Sequence, residues 1–244
     1  MFLEVSAGGW ALLAVAAVIV GISKTALPGA ATLSVAIFAG VLPSRASTAT
    51  LLVLLIVGDV FALWAYRRHA DWRTLLRLAP AVVAGLLVGA VFLALADDVS
   101  VRRVIGVILL VLVAITLWRR RVDPVVAPSR SVAVAYGSLG GFTTMVANAG
   151  GPVMSMYFLA AKFPVKTFLG TAAWFFAVVN IAKLPFSIGL GLLTPQSLLI
   201  DLVLVPAVLI GAFGGRLLAD RLDQTLFERF VIVLTVVGAV YLLL

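Results

Sequence analysis

Residues 131–161 carry no charged side chain. As one straight helix at ~1.5 Å per residue that stretch would run about 46 Å, well beyond a ~30 Å hydrocarbon core. A chain with this pattern has to break the stretch. The break is legible at Asn148-Ala-Gly-Gly-Pro152, where glycine loosens the backbone and proline withholds a donor. A similar apolar run, Gly8 to Leu42, is interrupted between Ser23 and Gly29 by Pro28-Gly29. Each interrupted run predicts two half-helices. Arms of roughly fourteen residues reach only about 21 Å, so each run is expected to form a re-entrant hairpin with its tip near the membrane midplane.

The other uncharged stretches, 78–96, 104–118, 184–200 and 230–244, have lengths that suit a bilayer. Of the 244 residues 64% are hydrophobic and 11% charged, against roughly 25% charged in an average soluble domain. That balance excludes a water-soluble fold. The formal charge of +8 then reads as a matter of membrane topology, not of a nucleic-acid partner. The expected fold class is an all-α polytopic membrane protein in which each hairpin is followed by three transmembrane helices. These fall at about 46–66, 75–96 and 101–118, then at 165–186, 198–218 and 227–244. The apolar segment Gly8 to Ile22 follows Glu4 and no base, so it reads as part of the mature fold, not as a cleaved leader.

The two halves of the chain correspond. Pro43 and Pro164, 121 residues apart, each open a long apolar helix, and at that same spacing Gly29 meets Gly150 and Asp59 meets Asn180. After a longer loop in the second half, Pro80-Ala-Val-Val-Ala-Gly85 matches Pro206-Ala-Val-Leu-Ile-Gly211 at a spacing of 126. Gly89 with Gly215, Asp97 with Asp223 and Arg103 with Arg229 continue the series. Such order is the signature of an internal repeat, here 8–118 and 131–244 joined by a linker at 119–130. Arg67, Arg68, Arg73 and Arg77 share one loop and Arg119, Arg120, Arg121 and Arg130 another, so both are expected to be cytoplasmic by the positive-inside rule. One hairpin plus three spans crosses the bilayer an odd number of times. The copies are therefore expected to be two inverted repeats, with both termini outside the cytoplasm.

Ionisable side chains in the hydrocarbon region cost about 2.5 to 3.5 kcal/mol on insertion scales and mark sites of function. Lys24, Asp59 and Lys183 occupy such positions. Lys24 lies where the first run unwinds, between Ser23 and Thr25, and the second break offers Thr143, Thr144 and Asn148 in its place. Beyond each break a new half-helix starts at Gly29-Ala30 or Gly151-Pro152, and its free N–H groups form an anion site. The candidate substrate-binding set is Ser23, Lys24, Thr25 and Gly29 at the first tip and Thr143, Thr144, Asn148, Gly150 and Gly151 at the second. Asn180 and Lys183, on one face of the following span, complete it. Asp59 is either the partner of a buried base or a coupling proton site, and Lys183 either lines the anion path or snorkels outward.

Other signals carry less. Lys24-Thr25 lacks the glycines of a phosphate-binding loop. With no Cys and a single His, His69 in the arginine-rich loop, neither a metal nor any other cofactor is expected. Trp64, Tyr66, Trp72 and Trp118 fit an aromatic belt. Trp174-Phe175-Phe176 either walls the path or packs against lipid and neighbouring helices. Gly85 with Gly89, and Gly211 with Gly215, are small-xxx-small pairs that predict close helix contact.

Gly21-Ile-Ser-Lys-Thr-Ala-Leu-Pro-Gly29, Ile56-Val-Gly-Asp59 and Tyr66-Arg-Arg-His-Ala-Asp-Trp72 together resemble the sulfite exporter TauE/SafE family of bacterial membrane permeases. Gly140-Gly-Phe-Thr-Thr-Met-Val-Ala-Asn-Ala-Gly-Gly-Pro152 is similar to that family's glycine-rich element, and the likeness covers nearly the whole chain. Where many members carry a glycine run in the first copy, this chain has Lys-Thr-Ala-Leu-Pro-Gly. The resemblance implies a substrate among sulfite, sulfonates and related sulfur-containing anions. The resulting expectation is a secondary transporter in the bacterial cytoplasmic membrane whose partners are a small anion, the lipid bilayer and, as a coupling ion, protons; self-association is left open. A passive anion channel and a cation or metal transporter built on Asp59 are the competing readings, and two intramembrane lysines against one aspartate disfavour the cation. An intramembrane enzyme finds no support, since no carboxylate pair stands beside a nucleophile within a span.

Overall fold

Leu42-Pro43 turns the chain after its first helical pair, and Pro43 then caps the helix Ser44–Tyr66, its carbonyl accepting from Ser47 N–H at 2.8 Å. Pro164 does the same for the second half, accepting from Phe168 N–H at 2.9 Å. A computed structural model describes residues 5–25, 30–119, 129–161, 163–218 and 224–244. These residues form helices and no strand. In order they are α1 (Ala7–Thr25), α2 (Ala31–Val41), α3 (Ser44–Tyr66), α4 (Trp72–Leu95), α5 (Asp98–Arg119), α6 (Arg130–Ala147), α7 (Gly150–Ala160), α8 (Val165–Gly189), α9 (Pro195–Leu218) and α10 (Gln224–Leu243). A short 3-10 turn, Arg67–His69, follows α3.

Six helices among the described residues are long and apolar enough to cross a membrane: Ala7–Thr25, Ser44–His69, Trp72–Leu95, Asp98–Trp118, Lys166–Gly189 and Pro195–Leu217. The first of these is an arm of the first hairpin. The sequence predicts equal arms of about fourteen residues, whereas α1 has 19 residues and α6 has 18, and each is followed by a return arm of 11. At ~1.5 Å per residue the long arms reach about 27 Å or more and the short ones about 16 Å. The inequality has a packing cause: each long arm lies against a complete span along its length, and the return arm needs only to refold onto it.

Both pairs fold back as antiparallel hairpins. Gly9 at the start of α1 meets Val41 at the end of α2, and Ser34 Oγ donates to the Ala16 carbonyl at 2.8 Å. In the second pair Tyr136 and Tyr157 face each other with ring centroids 5.9 Å apart, and Gly140 packs on Met154. The hairpins dock across the molecule. α1 runs parallel to α9, with Gly211 against Val18 and Gly215 against Ile22 and Thr25, while α6 runs parallel to α4, with Gly85 against Ser138 and Gly89 against Met145. A Cβ at Gly21, Gly85 or Gly211 would stand 2.1 Å from a backbone oxygen of the facing helix, so these positions admit no side chain. The small-xxx-small pairs thus do make the close contacts expected of them.

α3 and α8 cross antiparallel at the centre, where Asp59 meets Asn180. Toward one end Trp174 Nε1 donates to the Arg67 carbonyl at 3.1 Å, and Trp72 lies 5.0 Å from Trp174 between ring centroids. The outward faces are apolar and exposed along whole helices, as Val83, Leu87, Val91 and Leu95 show on α4, which is what hydrocarbon solvent permits.

Candidate functional site

The break between α6 and α7 is built by one residue in an unusual conformation. Asn148 has φ 52°, the left-handed region, and is the one non-glycine residue with positive φ among those described. Its N–H donates to the Thr144 carbonyl at 3.0 Å and Ala149 N–H to the Thr143 carbonyl at 3.2 Å, a Schellman-type closure that asparagine tolerates better than most residues. The backbone twist leaves the Asn148 side chain free to bond elsewhere. Its Nδ2 donates to the Thr48 carbonyl at 2.8 Å, and its Oδ1 accepts from Lys183 Nζ.

A polar chain extends from that point through the interior. Lys183, 2% exposed, also donates to Thr144 Oγ1 at 3.5 Å and to Asn180 Oδ1 at 3.4 Å. Asn180 Nδ2 donates to Asp59 Oδ2 at 2.6 Å, and the other carboxylate oxygen of Asp59 receives Lys24 Nζ at 2.6 Å. The sequence Lys24–Asp59–Asn180–Lys183–Asn148 therefore links the tip of one hairpin to that of the other through the α3–α8 crossing. Of the two readings of Lys183, snorkelling is excluded: the ammonium is held inside the protein. Of those for Asp59, the partner of a buried base is what the geometry shows.

Beside this chain lies a cavity of about 60 Å³, room for several waters or one small polyatomic ion. Both hairpins line it: Ser23, Lys24, Ala31 and Thr32 from the first, Thr144, Asn148, Ala149, Gly151 and Pro152 from the second. The first turns of α2 and α7 thus border the same space. α3 adds Leu55, Asp59, Ala62 and Tyr66, and α8 adds Leu169, Ala172, Ala173, Phe176 and Asn180. Lys24 Nζ sits 4.9 Å from the Phe176 ring centroid, a cation–π contact that fixes the ammonium at the wall.

Of the sequence-derived candidates, Ser23, Lys24, Asp59, Thr144, Asn148, Gly151 and Asn180 line the cavity. Lys183 stands directly behind that lining. Thr25, Thr143 and Gly150 do not reach the space: the Thr25 hydroxyl donates to the Gly21 carbonyl at 3.2 Å, Thr143 donates to the Leu139 carbonyl at 2.8 Å, and Gly150 packs on Thr144 within the hairpin. Gly29 lies outside the described residues. Trp174, Phe175 and Phe176 separate by role, since Trp174 anchors the Arg67–His69 turn, Phe175 packs on Phe158 and Phe176 walls the cavity.

Sequence reasoning misses Tyr66 and Thr32. Its place near a span end suggests an aromatic belt for Tyr66, yet this residue lies seven positions after Asp59, two helical turns along the same face, and its hydroxyl approaches the Thr25 carbonyl at 3.5 Å. The heptad spacing of Leu55, Asp59, Ala62 and Tyr66 is the signal that would find it. Tyr66 also borders a second, smaller pocket with Thr25, Phe61, Trp64, Phe213 and Arg216. Asp201 on α9 is likewise unmarked in the sequence; it is buried at 2% exposure, both its carboxylate oxygens lack a hydrogen-bond partner among the described residues, and it lies apart from the cavity lining.

Helical hairpins enclosing a charged cavity inside a set of apolar membrane-length helices define a multi-pass membrane transport protein. The family model of the sulfite exporter TauE/SafE matches residues 13–242, and the chain belongs to that family. No curated protein and no solved structure matches. Membership implies membrane transport of sulfite or a related sulfur-containing anion, with the lipid bilayer and a small anionic substrate as its partners.

Proposed function

We propose that this chain is a secondary transporter, an exporter, that holds a sulfur oxyanion or organosulfonate in the cavity between the two hairpins. One observation carries the reading: the first turns of α2 and α7 border a single cavity whose wall contains Lys24 and whose backing contains Lys183. Free N–H groups at the two helix starts supply short-range donors, Ser23, Thr32, Thr144 and Asn148 add polar side chains, and the ammonium groups supply charge. Family membership supports the same substrate class.

In this reading 8–118 and 131–244 are inverted copies joined by a cytoplasmic linker, with both termini outside a bacterial cytoplasmic membrane. Reciprocal docking of α1 on α9 and of α6 on α4 supports the duplication. Alternating access arises as one copy moves against the other. The polar chain is the part that such motion stretches, and Asp59 is the candidate proton carrier when its bond to Lys24 opens. Substrate leaves chemically unaltered, as a transporter and not an enzyme requires.

Calorimetry on purified protein tests the site. Lys24→Met is expected to raise the dissociation constant for sulfite by roughly tenfold or more, about 1.4 kcal/mol. In proteoliposomes the same variant should slow sulfite efflux, and the released anion should be recovered intact. Unchanged affinity in Lys24→Met would remove this cavity as the binding site.

A further inference from the structure

The formal charges around the cavity do not cancel. Lys24 and Asp59 form an ion pair at 2.6 Å, so their fields offset one another a short distance away. Lys183 has no such partner among the described residues: its bonds run to Thr144 Oγ1, Asn148 Oδ1 and Asn180 Oδ1, all neutral oxygens. An ammonium has three N–H donors, and three acceptors face it. Those three residues all line the cavity, which places the unbalanced charge immediately behind its wall.

Nothing else on the lining alters that sum. α2, α6 and α7 contribute neutral side chains to it, and beyond Lys24, Asp59 and Lys183 the one further titratable group among the described residues there is the Tyr66 hydroxyl on α3. The helix ends offset as well, because each tip joins the carboxyl end of a long arm to the amino end of a return arm, with opposite partial charges. With Lys24, Asp59 and Lys183 all ionised, the buried centre carries one net positive charge. In a low-dielectric interior, a full charge left without a counterpart is strongly disfavoured.

We infer that the cavity selects singly charged tetrahedral anions over doubly charged ones, and that Asp59 sets this valence. The inference rests on the anion-transport reading above and sharpens it. A monoanion brings the buried sum to zero, whereas a dianion leaves one negative charge without a counterpart. Asp59→Asn releases Lys24 from its pair, raises the sum to two, and shifts the preference toward the dianion. For sulfite itself, the hydrogen sulfite form is the bound species.

The test uses full-length protein in lipid nanodiscs and three anions of nearly one shape. Methanesulfonate is singly charged throughout the working pH range, sulfate is doubly charged, and methylphosphonate passes from one charge to two as pH rises through neutrality. Wild-type protein is expected to bind methanesulfonate roughly tenfold or more tighter than sulfate. Methylphosphonate affinity should fall from mildly acidic to mildly alkaline pH more steeply than methanesulfonate affinity, whose own change reports titration of the protein's groups. Asp59→Asn should narrow or reverse the methanesulfonate-to-sulfate ratio. Equal wild-type affinity for methanesulfonate and sulfate, with binding of both, overturns the valence inference and leaves the anion site standing. Folded wild-type protein that binds sulfite but none of the three overturns the valence inference, and protein that binds neither sulfite nor any of the three overturns both readings. A folded Asp59→Asn that keeps the wild-type ratio overturns the assignment of valence to Asp59, and Asp59→Ser carries the same comparison where the asparagine variant does not fold.

Discussion

Asn148 closes α6 with a left-handed backbone and sets its side chain between Lys183 and the Thr48 carbonyl. The two roles separate by substitution. Asn148→Gly keeps the backbone conformation and removes both side-chain bonds, while Asn148→Ala removes the bonds and leaves in the left-handed region a residue that tolerates it less well than glycine, at a cost of about 1 kcal/mol. Both variants are expected to lose methanesulfonate affinity by a similar factor, and the alanine variant to unfold at the lower temperature; melting curves and calorimetry on the purified pair check this. At this scale most of the cavity is legible in the sequence. Lys24, Asp59, Asn148, Asn180 and Lys183 stand out because a polar group in an apolar run needs a partner, and each proves to be another's partner. What does not show is which hydroxyls face the cavity. Thr143 and Thr144 are adjacent and chemically identical, and only helix phase decides that the first bonds its own backbone while the second lines the space.

Helix pairs owe their approach to glycine. A Cβ at Gly211 would lie 2.1 Å from the Val18 carbonyl oxygen, whereas one at Gly214 on the same helix meets nothing within 4 Å. Gly211→Ala is therefore expected to push α9 from α1 and cost roughly 1 to 3 kcal/mol, as overpacking does. Gly214→Ala should be neutral or gain up to about 1 kcal/mol of helix propensity. Thermal unfolding in detergent compares them, and equal melting temperatures would contradict a tight α1–α9 contact. The existence of both hairpins, their breaks and the glycine contacts are readable because charge gaps, Pro and Gly mark them locally. The lengths of the arms are not, since α1 and α6 are extended by what they lie against, and α9 and α4 are distant in sequence.

The chain as a whole places the Arg67–His69 turn at one end and the Gly189–Pro195 connection at the other, with α8 running between them. The threading proposed above puts the arginine-rich end in the cytoplasm, as the positive-inside rule expects. The absence of native cysteine makes this simple to check. Arg68→Cys and Gly189→Cys replace exposed residues; in intact cells a membrane-impermeant maleimide is expected to label the second and to reach the first after lysis. The reverse pattern would invert the threading proposed for both halves. Reciprocal docking also gives the two hairpins different histories during synthesis. α6 emerges from the ribosome after its neighbour α4 is complete, but Gly211, the seat of Val18, follows it by 193 residues. At ~5–20 residues per second α1 waits some 10 to 40 s for its cradle. Through that interval the first hairpin must be held by lipid or by the insertion machinery, and a chain truncated before α9 presents that unsheltered helix to quality-control proteases.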